Sequence, residues 1–304
     1  MAPTGRARLL KALRRTYGVL IAAVLVIVIV RTRDDLARTL REARPGLLAL
    51  CLLASFGQIG LTSAVWSTGL KRLGASTPWR SVVQATAAAA PSRYLPGSVW
   101  YAVARVTTLR RRGVPARHLT AVAAMETVLS PVVGLAFGSL LLVLTDPADL
   151  RLSRGLTLGL LVVGVLLLGL ASPPVLGRLV RLRAKDDHVP TLGWVGLTAV
   201  LGRVALFWVW SAGVFTLYLS AFPGASSAGV PTVMAAYMLA WGVGWLALFA
   251  PQGAGVFEVV LAALLVGGAD DLAVLAAGYR AVILVRDLAG AAVAGALARR
   301  FEPA

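Results

Sequence analysis

What constrains this chain most is the length of its apolar runs and how little separates them. Stretches able to cross a bilayer cover residues 17–30, 46–68, 119–144, 156–171, 192–219 and 272–297, joined by short polar connections. Hydrophobic residues make up 58% of the chain and charged residues 14%, too little polar surface to keep such runs dispersed in water. Lipid is therefore the expected solvent. Backbone polar groups inside hydrocarbon must be paired within the chain, and uninterrupted runs of this length do that as helices. The expected fold class is all-α, a polytopic membrane helix bundle forming a single integral membrane domain over residues 1–304.

Two further apolar regions, 81–108 and 232–267, are too long for one helix. Each is interrupted near its centre, by Pro91-Ser-Arg-Tyr-Leu-Pro96-Gly97 in the first and Pro251-Gln-Gly253-Ala-Gly255 in the second. A simple proline kink explains one such break as well as a re-entrant hairpin does. Two breaks in corresponding positions favour the hairpin, because irregular backbone at membrane depth persists only where protein or a wet cavity satisfies it. The order span, span, broken hairpin, span runs over 17–144 and again over 156–297. Each unit has an odd number of full crossings, so the expectation is six spans and two re-entrant hairpins in an inverted repeat.

Charge sets the expected orientation. With the N-terminus inside, the cytoplasmic segments hold 18 Lys and Arg and the outer ones 7, in the sense of the positive-inside rule. Both termini are then cytoplasmic and the chain lies in the plasma (inner) membrane. Residues 1–30 have the charged and apolar regions of a signal peptide, but Arg31-Thr-Arg-Asp-Asp follows where a small-residue cleavage site belongs, so a retained first helix is expected. The net charge of +17 is dispersed in clusters beside apolar runs, which suits anionic lipid headgroups and not nucleic acid. One cysteine, Cys51, allows no disulfide framework, and His118 and His188, both beside basic residues in loops, make a poor metal pair. No metal or cofactor is expected. Phosphate-binding-loop and nucleophile-elbow signatures are absent, so no catalytic residues are assigned and the chain is not read as an enzyme.

Five arginines remain inside the apolar regions, Arg93, Arg105, Arg203, Arg280 and Arg286, together with Glu126, Glu258 and Asp287. Each costs about 2.5 to 3.5 kcal/mol at a helix centre on insertion scales, so such groups face a bundle interior or a wet cavity. Three acids neutralise at most three arginines, and a pocket left positive suits phosphate or carboxylate, which guanidinium binds two oxygens at a time. The competing reading is that they are interhelical ion pairs, with Arg286 beside Asp287 the strongest such case. Gly134 with Gly138, and Gly155 with Gly159, have the small-xxx-small spacing of close helix packing.

Four motifs in order, Arg93-Tyr-Leu-Pro96-Gly97-Ser-Val-Trp100 with Arg105, Met125-Glu126, Pro251-Gln-Gly253-Ala-Gly255-Val-Phe-Glu258, and Tyr279-Arg280, resemble the lysylphosphatidylglycerol synthase transmembrane family. Ser98 stands where that family often has an acid, and Thr127 follows Glu126 where arginine is usual. The resemblance implies movement of a lipid or lipid-linked precursor between leaflets by a stand-alone membrane domain without the synthase domain. Taken with the excess of arginine, it makes the expected partner a lipid with an anionic headgroup. Arg93, Arg105 and Arg280 would bind its phosphate and Glu126 and Glu258 tune or release it, with Pro96, Gly97, Trp100, Arg203, Pro251, Gly253, Gly255 and Tyr279 completing the binding set. The alternative is a non-transporting accessory subunit that docks a glycosyltransferase or other lipid-modifying enzyme through the basic loops 109–118 and 172–191. An intramembrane lipid-phosphate enzyme ranks last, for want of a nucleophile.

Overall fold

The structure is a computed structural model that describes residues 42–95, 99–145, 153–170, 172–175, 177–178, 190–247, 251–265 and 269–301. The first expected span, 17–30, and Pro96 and Gly97 lie outside the described residues. Nine helices build the described part: α1 (Pro45–Arg72), α2 (Trp79–Ala89), α3 (Trp100–Arg111), α4 (Ala116–Thr145), α5 (Arg154–Leu170), α6 (Trp194–Leu219), α7 (Val230–Leu246), α8 (Val256–Leu264) and α9 (Ala269–Phe301).

Four of these are long and apolar enough to cross a membrane: α1, α4, α6 and residues Asp271–Arg299 of α9, at 26 to 30 residues each. At 1.5 Å per residue they exceed the ~30 Å hydrocarbon thickness. The expected span at 156–171 is the helix α5, whose 17 residues make it a shorter apolar helix.

Local chemistry sets where the helices end. Pro45 occupies the first turn of α1, where its missing N–H costs nothing. At the other end Gly74 takes φ 87°, so that the Ala75 N–H reaches the Leu70 carbonyl and the Gly74 N–H that of Lys71. The last turn of α3 closes the same way, with Gly113 at φ 86° and the Val114 N–H on the Leu109 carbonyl. Both ends carry basic residues, Lys71 and Arg72 on α1 and Arg110 and Arg111 on α3, which offset the negative end of the helix dipole.

Packing places α4 against α5, α6 and α7, and α1 against α6, while α9 lies along α2 and α8. Gly134 and Gly138 serve this packing: a Cβ on Gly134 would stand 2.8 Å from the Trp208 ring, and one on Gly138 3.2 Å from the Ala235 carbonyl oxygen. Gly155 and Gly159 do not pack in this way, having nothing within 4 Å of a Cβ position; α5 instead meets α4 at Gly164, against Ala136.

Both sequence interruptions are breaks between packed helices. Between α2 and α3 the chain passes through the 3-10 turn Ala90–Tyr94, and between α7 and α8 through the 3-10 turn Pro251–Gly253; the helices of each pair pack on one another, and the two turns touch. The second break is tight. Gln252 and Gly253 both have positive φ, 52° and 66°, and Gly253 lies so close to α7 that a Cβ would stand 2.5 Å from the Gly244 carbonyl oxygen.

Candidate functional site

A cavity of about 150 Å³ lies where the two breaks meet. Arg93 of the first turn and Gln252 and Gly253 of the second line it, with Gln58 of α1, Glu126 of α4 and Arg286 of α9. The rest of the wall is largely aromatic, including Tyr101, Trp208, Tyr237 and Trp241. An apolar wall with a few convergent polar groups is the usual form of a small-ligand site.

Three carboxylates, each held by arginine, organise its surroundings. Glu126 receives two bonds from Arg105, Nη1 to Oε1 at 3.2 Å and Nη2 to Oε2, and a third from Trp66 Nε1 to Oε2 at 2.9 Å. Arg105, 1% exposed, is also sandwiched by rings, 3.8 Å from the Tyr101 centroid and 4.2 Å from that of Trp66. Desolvated cation–π contacts of this kind reach about 2 kcal/mol.

Glu258 pairs with Arg280 Nε and also accepts the Gly255 N–H at 2.8 Å, which secures the first turn of α8. Arg280 Nη2 donates to the Gln252 carbonyl at 2.9 Å, and its guanidinium sits 5.0 Å from the Trp241 ring and 5.3 Å from that of Phe257. Thus α9 grips the second break through one arginine.

Asp287, fully buried, accepts Arg286 Nε and Nη2 at 2.9 and 2.6 Å on Oδ1, and the Tyr94 hydroxyl at 3.1 Å on Oδ2. Arg286 Nη1 turns to Gln58 Oε1 and, at 3.3 Å, to the Ser55 carbonyl; Gln58 Nε2 in turn donates to the buried Tyr279 hydroxyl at 3.3 Å. Arg93 reaches Asp287 Oδ2 only at 3.9 Å, and its guanidinium lies 3.9 Å from the Tyr101 centroid.

Among the described residues four guanidinium groups therefore share three carboxylates, leaving one positive charge in excess. Arg93 is the loosest of the four: its carboxylate contact is the longest, and its side chain is 21% exposed against 17% for Arg280 and 1% for Arg105 and Arg286. Trp241 Nε1 and Gln252 Nε2 are also buried without a hydrogen-bond acceptor among the described residues.

Of the residues singled out from sequence, Arg93, Glu126 and Gly253 line the cavity, and Arg105, Glu258, Tyr279 and Arg280 stand behind it in the network. Pro251 opens the second turn, Gly255 precedes α8 with φ 84°, and Trp100 is the half-buried first residue of α3. Arg203 lies apart from all of these, exposed on α6 beside the cavity-lining Val204. Arg286 and Asp287 tie three elements together as an ion pair while Arg286 also lines the cavity.

Gln58, Trp66 and Tyr101 were not singled out from sequence. A signal existed for the first two: Gln58, Thr62 and Trp66 recur every four residues and so share one face of α1, and an amide within an apolar span marks a site.

A family model described as the lysylphosphatidylglycerol synthase TM region matches residues 15–290, which takes in both breaks and all three carboxylates. The chain belongs to the lysylphosphatidylglycerol synthase transmembrane family. As a member, with four helices able to span, it is a multi-pass membrane protein of lipid-related function. No curated protein matches the chain. In this member of the lysylphosphatidylglycerol synthase transmembrane family the motif residues Arg93, Glu126 and Gly253 line one cavity, although they are scattered over some 160 residues of sequence.

Proposed function

We propose that this chain carries a lipid with an anionic headgroup between the two leaflets, and that the cavity between the breaks receives the headgroup. The observation that supports this reading is Arg93, the one guanidinium among the described residues of the network whose only carboxylate, Asp287, is distant and already shared with Arg286, on an otherwise paired and aromatic wall. A charge only partly compensated in a mostly apolar setting is costly, and a ligand oxyanion relieves it. On this reading the two helix pairs are re-entrant hairpins of an inverted repeat, both termini are cytoplasmic, and the lipid is carried without bond making or breaking. Their turns then meet near the bilayer midplane, where a carrier must hold its cargo.

The alternative of docking an enzyme through the basic loops 109–118 and 172–191 has less support at the first, where Arg112 turns inward to the Ser81 carbonyl at 3.2 Å and to Gln84 Oε1 at 2.5 Å; most of the second lies outside the described residues. The test is proteoliposomes holding a fluorescent phosphatidylglycerol, with a quencher outside. The wild type should move the label between leaflets, and Arg93→Gln should do so at least tenfold more slowly with its unfolding temperature kept. Equal rates in both proteins, or none above empty liposomes, would contradict the proposal.

A further inference from the structure

We infer that the headgroup this cavity selects carries one negative charge and no positive one: a phosphodiester, as opposed to a phosphomonoester or an aminoacylated lipid. The inference rests on the reading of the cavity as the headgroup site and narrows its substrate class.

In a place of low dielectric the charge of the ligand must match that of the site. Among the described residues the network holds four arginines and three carboxylates, one positive charge in excess. A ligand bearing one negative charge brings the occupied site to neutrality, whereas a phosphomonoester, at close to two, leaves it negative. A lysyl or other ammonium group on the headgroup would need an acceptor of its own. Glu126, the one carboxylate lining the cavity, has both oxygens engaged, Oε1 by Arg105 and Oε2 by Arg105 and Trp66. Gln58 Oε1 is held by Arg286 and the Ser130 carbonyl by Trp208 Nε1 at 2.7 Å. On the donor side the balance is reversed. Arg93 keeps guanidinium N–H groups beyond its one long contact, and the cavity-lining residues Trp241 and Gln252 carry buried N–H groups without an acceptor; the buried Tyr101 hydroxyl, also without a partner among the described residues, can donate as well as accept. The site thus offers donors and asks the ligand for oxygen.

The test displaces a fluorescent phosphatidylglycerol from the purified full-length chain in mixed micelles. The competitors are unlabelled phosphatidylglycerol, phosphatidic acid, lysylated phosphatidylglycerol and phosphatidylcholine. The wild type should favour phosphatidylglycerol at least tenfold over each of the others. Glu258→Gln, which adds one positive charge on a pair outside the cavity wall, should shift the order toward phosphatidic acid at least fivefold; Arg93→Gln should abolish the preference for phosphatidylglycerol over phosphatidylcholine. A wild type that prefers phosphatidic acid or the lysylated lipid, or charge variants that keep the wild-type order, overturns the inference.

Water-soluble glycerophosphoglycerol distinguishes the source. Displacement at concentrations comparable to the lipid's assigns the site to a free phosphodiester, and no displacement assigns it to a lipid; either result keeps the phosphodiester chemistry. The expected order in a protein that moves no lipid would sink the transport reading alone. Transport that ignores the headgroup would sink this inference alone.

Discussion

Arg105 and Arg93 are the same side chain in opposite circumstances. Arg105 is bound by both oxygens of Glu126 and by two rings, so it is part of the frame; Arg93 has one long ionic contact and one ring. Removing one partner of a buried pair strands the other, at a cost of about 3 to 5 kcal/mol, whereas removing both leaves no bare charge. Glu126→Gln is therefore expected to lower the unfolding temperature sharply, and Arg105→Met with Glu126→Gln to recover part of that loss. Thermal unfolding in detergent checks it; a double variant less stable than the single one would contradict it. At this scale the sequence was informative because intramembrane charges are rare enough to stand out. It could not reveal which arginine pairs with which acid, since Arg93 and Asp287 are 194 positions apart and only the fold brings them together. Arg203 shows the limit: it reads like the other arginines in sequence, yet α6 turns it outward.

Two glycines face each other at the second break, and only one of them is required there. Gly253 has φ 66° and no room for a Cβ against Gly244, so Gly253→Ala should cost several kcal/mol, combining backbone strain with a clash against main chain. Gly244 is helical, and a Cβ there would find its nearest atom at an ordinary 3.7 Å. Gly244→Ala should therefore be neutral or stabilise by up to about 1 kcal/mol through helix propensity. The pair of unfolding temperatures checks this, and equal losses would contradict it. Apolar run length and Pro/Gly punctuation make the long helices and both interruptions legible in the sequence alone. They do not distinguish a short helix from a full span at 156–171, because run length carries no information on helix ends. Spacing misleads at Gly155 and Gly159, where small residues every four positions meet nothing. Gly134 and Gly138, with the same spacing, do pack, because α6 and α7 lie against them.

Across the whole molecule, Asp287 is the point where α9 meets the first break, through Tyr94 and Arg93, and through Arg286 it reaches Gln58 and Ser55 of α1. Asp287→Asn should loosen all three elements at once and cost more stability than Glu258→Gln, whose pair is partly exposed; hydrogen exchange should show the loss spreading to α1 and α2 as well as α9. Exchange confined to α9 would contradict it. The cavity between the breaks, read as a lipid headgroup site, is what ties these elements to a function. The most direct test of that reading is mass spectrometry of the lipids that co-purify with the wild type and with Arg93→Gln, each compared with the bulk membrane. A singly charged phosphodiester lipid should be enriched on the wild type and lost from the variant. The same lipid profile on both proteins, matching the bulk, would contradict it.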